Sequence, residues 1–325
     1  MTDLRELSVA HERARRVNEK LRRELGAVVC GFLEEAEVIE VMLNPDGRLW
    51  VERLGQPMIP AGTMSATQAE SLMATVAATL RTTLTRDNPI LECELPLDGS
   101  RFEAWIPPVV TAPTFTLRRK AAKVFGLADY VAAGIMTAGQ RRTLEAAVED
   151  RRNLLVVSGT GTGKTTLTNA LIAAMVAATP AHRLFILEDT AEIQCAAENA
   201  VILHATDQVD LLRLLKTTLR GRPDRILVGE VRGGAEALAL LKAWNTGHPG
   251  GVATVHANHV RAGLHRLEQL IAEVTQAPMQ ALIAAAVDLV VSMVKDTAHP
   301  AGRRIEEIVA VEGVDSTGYV FSTVE

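Results

Sequence analysis

The 325-residue chain is poor in cysteine, in aromatic side chains and in uninterrupted apolar runs. Its three cysteines, Cys30, Cys93 and Cys195, are far apart and odd in number, and none forms a Cys-x-x-Cys pair. That excludes a disulfide framework and a zinc ribbon, and fits reduced thiols in a reducing compartment. Three tryptophans, two tyrosines and six phenylalanines are too few to stack successive bases of a nucleic-acid strand. Of the longest apolar runs, "ALIAAMVAAT" is too short to cross a bilayer, and Asp288 interrupts "ALIAAAVDLVVSMV". The first twenty residues lack the apolar segment of a signal peptide. A cytoplasmic chain is expected. Neither sign of charge dominates: 34 basic against 39 acidic residues leave a net charge of −5, so no sequence-specific nucleic-acid contact is expected.

The length suggests two domains. Residues 3–25 alternate charges at helical spacing, with Leu4, Leu7, Val17, Leu21 and Leu25 on a thin apolar stripe. They read as a surface helix capping the first domain. "AEVIEVMLNPDGRLWVERLG" and "LECELPLDGSRFEAWIPP" each place an Asp-Gly turn between two strand patterns, the signature of a hairpin. Ser65 is a candidate N-cap for a helix reaching Leu84, and "TFTLRRK" is a short strand. Residues 1–118 therefore read as an amino-terminal α+β domain and 119–136 as a linker. From 137 to 325 the pattern changes: a helix near Thr137–Arg151, then the apolar strands "NLLVVS", "RLFILE", "DRILVG", "GVATVH" and "DLVVSMV" alternating with helices. That is an α/β arrangement with a parallel sheet covered on both faces. The tail reads as strands around the turn Asp315–Gly318.

The stretch "VVSGTGTGKTT" places Ser158, Gly159, Thr160, Gly161, Thr162, Gly163, Lys164, Thr165 and Thr166 between an apolar strand and a helix. Glycines let backbone N–H groups turn toward phosphate oxygens, Lys164 reaches the β and γ phosphates, and the Thr165 hydroxyl ligates Mg²⁺. The strict pattern wants glycine where Ser158 stands. A P-loop enzyme also commonly holds Mg²⁺ with an Asp at the end of a second strand. Here that strand, "RILVGEVRG", has Gly229 in the Asp position and Glu230 next to it. Glu230 becomes the candidate to activate water. Glu188 or Asp189, ending "RLFILEDTAEIQ", would supply the missing charge near Mg²⁺, while Glu192 reads as a solvated side chain.

Three of eight histidines lie in "NTGHPGGVATVHANH". Zinc needs three or four converging ligands, and no cysteine is near. His256, at the end of a strand sharing the phosphate edge, fits better as a γ-phosphate sensor. The glycines around His248 would let its loop approach the nucleotide, and His259 reads as a bystander.

The segments "SGTGTGKTT", "LEDTAEIQ", "LLKTTLRGRPDRILVGEVRGGAEA" and "NTGHPGGVATVHAN" occur in this order. Together with "NPDGRLWVERLG" and "GSRFEAWIPPVVTAPTFTLRRK", they resemble the secretion ATPases of type IV secretion systems, and within these the conjugal-transfer ATPases of the TrbB type. The resemblance implies a RecA-like P-loop domain behind a smaller α+β domain, ATP and Mg²⁺ as ligands, and a hexamer of two stacked rings. It assigns residues 158–165 to Walker A, Glu188 and Asp189 to an acidic motif, Glu230 to Walker B, and His248 and His256 to a histidine motif. It makes Arg101 and Arg118 arginines that reach the γ-phosphate, and Arg220 and Arg222 the pair before Walker B. It implies other secretion ATPases and inner-membrane components as partners, and a place on the cytoplasmic side of the inner membrane. A pilus-retraction or type II secretion motor, and a non-catalytic nucleotide-gated scaffold, are the alternatives.

Overall fold

The computed structural model describes residues 2–54, 56–120, 124–206 and 208–324, without the side chains of residues 2–11 and 13. Leu4 and Leu7 of the expected amino-terminal stripe thus lie outside the described side chains. The chain divides into two compact units, residues 1–122 and 123–325.

The first unit runs α1 (Thr2–Glu34), β1 (Val38–Leu43), β2 (Arg48–Arg53), β3 (Ile59–Thr63), α2 (Ala66–Thr79), β4 (Ile90–Glu94), β5 (Arg101–Trp105) and β6 (Thr114–Arg118). Its six strands pair antiparallel in the order β3-β2-β1-β6-β5-β4. Strand alternation sends Val41, Leu43, Phe102, Ala104, Phe115 and Leu117 into one core, together with Leu21, Leu25 and Val29 of α1 and Leu72 and Val76 of α2. Gly26 breaks α1 at φ 78°, and Gln68 of α2 donates to the Glu24 carbonyl beside the break (2.7 Å). Ser65 caps α2, accepting from the Gln68 N–H. The helix stops at Thr79, short of the expected Leu84. Arg81 turns left-handed (φ 59°), and the N–H groups of Arg81 and Thr82 bond back to Ala78 and Ala77, which closes a Schellman motif.

The second unit runs α3 (Leu127–Ala132), α4 (Ala138–Glu149), β7 (Leu154–Ser158), α5 (Lys164–Ala178), β8 (Leu184–Glu188), β9 (Ala200–His204), α6 (Leu211–Thr218) and β10 (Arg225–Val228). It continues with α7 (Gly234–Asn245), β11 (Val252–His256), α8 (Val260–Ala272), α9 (Gln280–Ala286), β12 (Leu289–Lys295), β13 (Arg303–Asp315) and β14 (Gly318–Thr323). Within the expected linker 119–136, Leu127, Tyr130 and Met136 are buried in this unit's core. The eight strands lie in the order β14-β13-β12-β7-β11-β10-β8-β9. From β12 to β9 neighbours are parallel, and β13 and β14 add an antiparallel edge.

Alternation in β7 explains the layers. Leu155 and Val157 enter a core with α6, α7, α8 and α9, while Leu154 and Val156 enter the opposite one with α3, α4 and α5. Parallel strands buried on both faces read as unbroken apolar runs, hence "LLVV" and "LFIL". Helix α7 lies so close to α8 that a Cβ on Gly234 would fall 2.0 Å from the Leu270 carbonyl oxygen. Gly234→Ala is therefore expected to destabilise the protein by about 1–3 kcal/mol or more. Gly31→Ala, a helical site with nothing within 4 Å of the added carbon, is expected to be neutral or stabilising by up to about 1 kcal/mol. Chemical denaturation of both variants checks this.

Candidate active site

In a parallel sheet the carboxyl ends of the strands share one edge, and ligands bind there. Register places Ser158 of β7 opposite His256 of β11 and Met293 of β12, and Leu187 of β8 opposite Val228 of β10. The phosphate loop, the acidic segment, Glu230 and His256 therefore emerge together.

The loop is built to turn. Gly161 and Gly163 take φ of 69° and 103°, values that side chains resist, and Gly163 opens α5. Ser158, in place of the expected glycine, is fully buried. Its hydroxyl pairs with that of Thr162 at 2.6 Å, and Thr162 also donates to the Gly159 carbonyl. The departure from the strict pattern thus becomes an internal brace across the loop.

Glu230 is the centre of charge. Its carboxylate lies 3.4 Å from Lys164 Nζ, 2.7 Å from His256 Nε2 and 2.7 Å from Arg232 Nη2. Burial alone would raise its pKa, but the Arg232 hydrogen bonds and the charges of Lys164 and Arg232 outweigh that and hold it below the usual carboxylate range. Burial lowers the Lys164 pKa against the pull of Glu230. Burial and the nearby Lys164 likewise keep His256 below the ordinary imidazole value, so its ring is neutral near pH 7. The Nε2 atom of that ring faces the ionised carboxylate at 2.7 Å.

The acidic segment departs from expectation. Glu188 was expected near Mg²⁺, but its carboxylate is buried and turned into the segment that follows. It accepts from the N–H groups of Glu192 (3.0 Å) and Ile193 (2.9 Å) and lies 3.0 Å from His204 Nε2. Burial raises the Glu188 pKa, and those three bonds offset it only in part. Asp189 stays at the rim, 3.5 Å from Arg232. Glu192, expected to be solvated, instead accepts a hydrogen bond from the Thr165 hydroxyl at 3.0 Å. Buried Asn169 of α5 steadies the same segment through the Glu192 carbonyl and the Gln194 N–H. Gly229 explains why the usual Asp is missing: a Cβ there would meet Glu188 Cβ at 3.1 Å and Ile193 Cδ1 at 3.5 Å. The space an aspartate would need is filled by the segment that delivers Glu192.

Three expected residues lie elsewhere. His248, Arg220 and Arg222 precede β11 and β10, at the amino ends of the strands. His248 Nδ1 sits 3.3 Å from the Pro223 carbonyl. Strand direction puts them on the edge opposite the phosphate loop, so they do not join it within one chain. His259 caps α8, its Nδ1 accepting from the Ala262 N–H. In the first unit, Arg101 and Arg118 stand directly opposite each other on β5 and β6. They belong to one cross-strand row with Glu52, Glu40 and Glu94 on the face away from the core. Burial raises the Glu40 pKa, offset in part by Arg118. Beside the phosphate loop, an open cavity of about 700 Å³ is lined by Gly159, Thr160, His256, His259, His265 and Arg266 among others.

Sequence reasoning missed Arg232, His204, Asn169 and the role of Glu192. Only Arg232 left a signal, two residues from Glu230; the others depend on how the segment after β8 folds back.

A phosphate loop, a carboxylate and a histidine at the carboxyl edge of such a sheet define a P-loop nucleotide site of the RecA-like class. The chain belongs to the type II/IV secretion system protein family, whose profile matches residues 26–315. It is 52% identical to the probable conjugal transfer protein TrbB of Sinorhizobium fredii, over 91% of this chain and 90% of that one. It is 28% identical to the type IV secretion system protein PtlH of Bordetella pertussis, over 85% of this chain and 91% of that one. Among solved structures, the ATPase DotB of Legionella pneumophila shares the fold with a TM-score of 0.63 at 18% identity, covering 86% of this chain and 78% of that one.

The acidic segment yields a test. Glu188→Ala strands two backbone N–H groups and is expected to cost about 2–6 kcal/mol of stability, since each unsatisfied buried donor costs about 1–3 kcal/mol. Asp189→Ala, removing a half-exposed partner of Arg232, is expected to cost less than about 1 kcal/mol. Urea unfolding of the two variants separates them.

Proposed function

We propose that the chain is a Mg²⁺-dependent ATP hydrolase that powers a type IV secretion or conjugal DNA transfer apparatus. The observation that carries the reading is the Glu230 carboxylate, 3.4 Å from Lys164 and 2.7 Å from His256 beside the phosphate loop. The family and the 52% identity to a conjugal transfer protein supply the biological setting.

The residues divide the work. Loop N–H groups from Gly159 to Thr165, with Lys164, bind the β and γ phosphates, favoured by the positive end of α5. The paired oxygens of Thr165 and Glu192 suit a hard cation that takes oxygen ligands; they would hold Mg²⁺, which would neutralise charge on the phosphates. Phosphate arriving at Lys164 competes with Glu230 for that ammonium. Glu230, released, orients water for in-line attack on the γ phosphorus and takes its proton as the bond to the β–γ bridging oxygen breaks and ADP leaves, and His256 holds the carboxylate in place and reports on the γ-phosphate position. Arg232 bridges Glu230 to Asp189 and keeps the carboxylate ionised.

Phosphoryl transfer spreads negative charge over the γ oxygens, which guanidinium groups stabilise. Arg101 and Arg118 are proposed for that role, within an assembly expected to be hexameric. His248, Arg220 and Arg222 are proposed to act only across a subunit boundary, because strand direction removes them from their own phosphate loop. Other secretion ATPases and inner-membrane components are the proposed partners. Among the described residues no helix is long and apolar enough to cross a membrane, so association with the inner membrane would be peripheral.

Lys164→Ala is expected to abolish detectable Mg-ATP binding in calorimetry. Glu230→Gln is expected to bind Mg-ATP with near wild-type affinity while turning over about 10²–10⁴-fold more slowly. Wild-type turnover in Glu230→Gln would remove the carboxylate from the mechanism, whereas Mg-ATP binding with no turnover in the wild-type chain would favour a nucleotide-gated scaffold.

A further inference from the structure

Two cations near the phosphate loop remain unassigned by its motifs. Strand β12 lies beside β7 on the side away from β11 and from β10, the strand that precedes Glu230. Met293 sits opposite Ser158 in parallel register, so Lys295, two residues further on, emerges at the phosphate edge. Arg303, first residue of β13, stands directly opposite Lys295 in the antiparallel ladder.

Both side chains reach the loop. A Cβ built on Gly161 would lie 3.2 Å from Lys295 Nζ, and one built on Gly163 would lie 2.6 Å from Arg303 Nη1. Arg303 Nη1 also donates to the Thr162 carbonyl at 3.2 Å. The two left-handed glycines thus serve a second purpose: side chains there would push the cations away. Among the described residues neither Lys295 nor Arg303 makes an ion pair, whereas the adjacent Arg304 is matched by Asp296 at 3.1 Å. Like charges directly opposite on an antiparallel ladder are destabilising. This pair therefore holds an uncompensated positive charge against a loop whose N–H groups and helix terminus already favour anions.

We propose that Lys295 and Arg303 are nucleotide-binding residues, a cross-strand cation pair that grips the polyphosphate from the side of the loop away from Glu230. The proposal rests on the reading of this loop as a nucleoside polyphosphate site. Arg303 supplies a planar fork suited to two phosphate oxygens, and Lys295 a mobile point charge. Lys164 is shared with Glu230 and so responds to the catalytic carboxylate. The β12–β13 pair has no such competitor and supplies affinity that is independent of the state of Glu230. It also ties the antiparallel edge of the sheet to nucleotide occupancy, because the two cations are anchored where β12 ends and β13 begins.

The test is calorimetric titration of ADP into the full chain: wild type, Lys295→Gln, Arg303→Gln, the double variant, and the charge-conserving Lys295→Arg. Each single loss of charge is expected to weaken ADP binding about tenfold, and the double variant more than either, with a shallower dependence of affinity on salt. Lys295→Arg is expected to stay within about threefold of wild type. Thermal melts without nucleotide separate binding from bracing. Removing a like-charge pair is expected to leave the apo melting temperature unchanged or higher, while the upward shift on adding ADP shrinks. Double-variant binding equal to wild type, or a lower apo melting temperature with an unchanged ADP shift, overturns the proposal. If the wild-type chain itself binds no ADP, the phosphate-site reading fails and takes this inference with it.

Discussion

A carboxylate that is mostly withdrawn from water stays ionised only if cations or donors surround it, and Glu230 is held in that way by Lys164, His256 and Arg232. The arrangement at the sheet edge depends on this one balance. It fixes the Lys164 side chain over the phosphate loop, orients the His256 ring at the end of β11, and draws Arg232 back across the start of the segment leading to α7. It also makes the resting site responsive. A triphosphate carries more negative charge than one carboxylate, so its arrival competes for Lys164 and leaves Glu230 to its other two partners.

The second constraint is steric. With glycine at 229, the chain after β8 can fold back until Glu188 and Ile193 fill the space that a side chain would take. Glu188 then clamps two backbone N–H groups, and Glu192 is delivered to the Thr165 hydroxyl. The charge that many P-loop enzymes place on the strand of Glu230 arrives from a neighbouring strand's loop. Glu188 is a positioning residue in this scheme, acting through the segment it organises.

The architecture was legible because its signals are local. Apolar runs of four or five residues between helical stretches mark strands buried on both faces, and the glycine-lysine-threonine turn after "LLVV" marks the phosphate loop. Glu230 and His256 could be placed because parallel strands end on a common edge. The same rule, applied with strand direction in mind, would have separated His248, Arg220 and Arg222 from the loop: they precede their strands. The position of Glu192 is not legible in the sequence because it depends on a fold-back made possible by the missing side chain at Gly229, which is a tertiary fact. Lys295 and Arg303 were invisible for a related reason. Nothing in "VKDTAHPAGRR" advertises phosphate until β12 is known to run beside β7. Strand β9 was also missed, since "AVILH" follows a loop whose course is set by Glu188.

The measurement that bears most directly on the central claim is Mg-ATP turnover per subunit, followed as protein concentration rises through the range of self-assembly. Hydrolysis is expected to require Mg²⁺, with a specific rate that climbs with concentration and then levels as the arginines proposed to complete the site are brought together. Absence of Mg²⁺-dependent hydrolysis at every concentration, in protein that binds ATP and assembles, would contradict it.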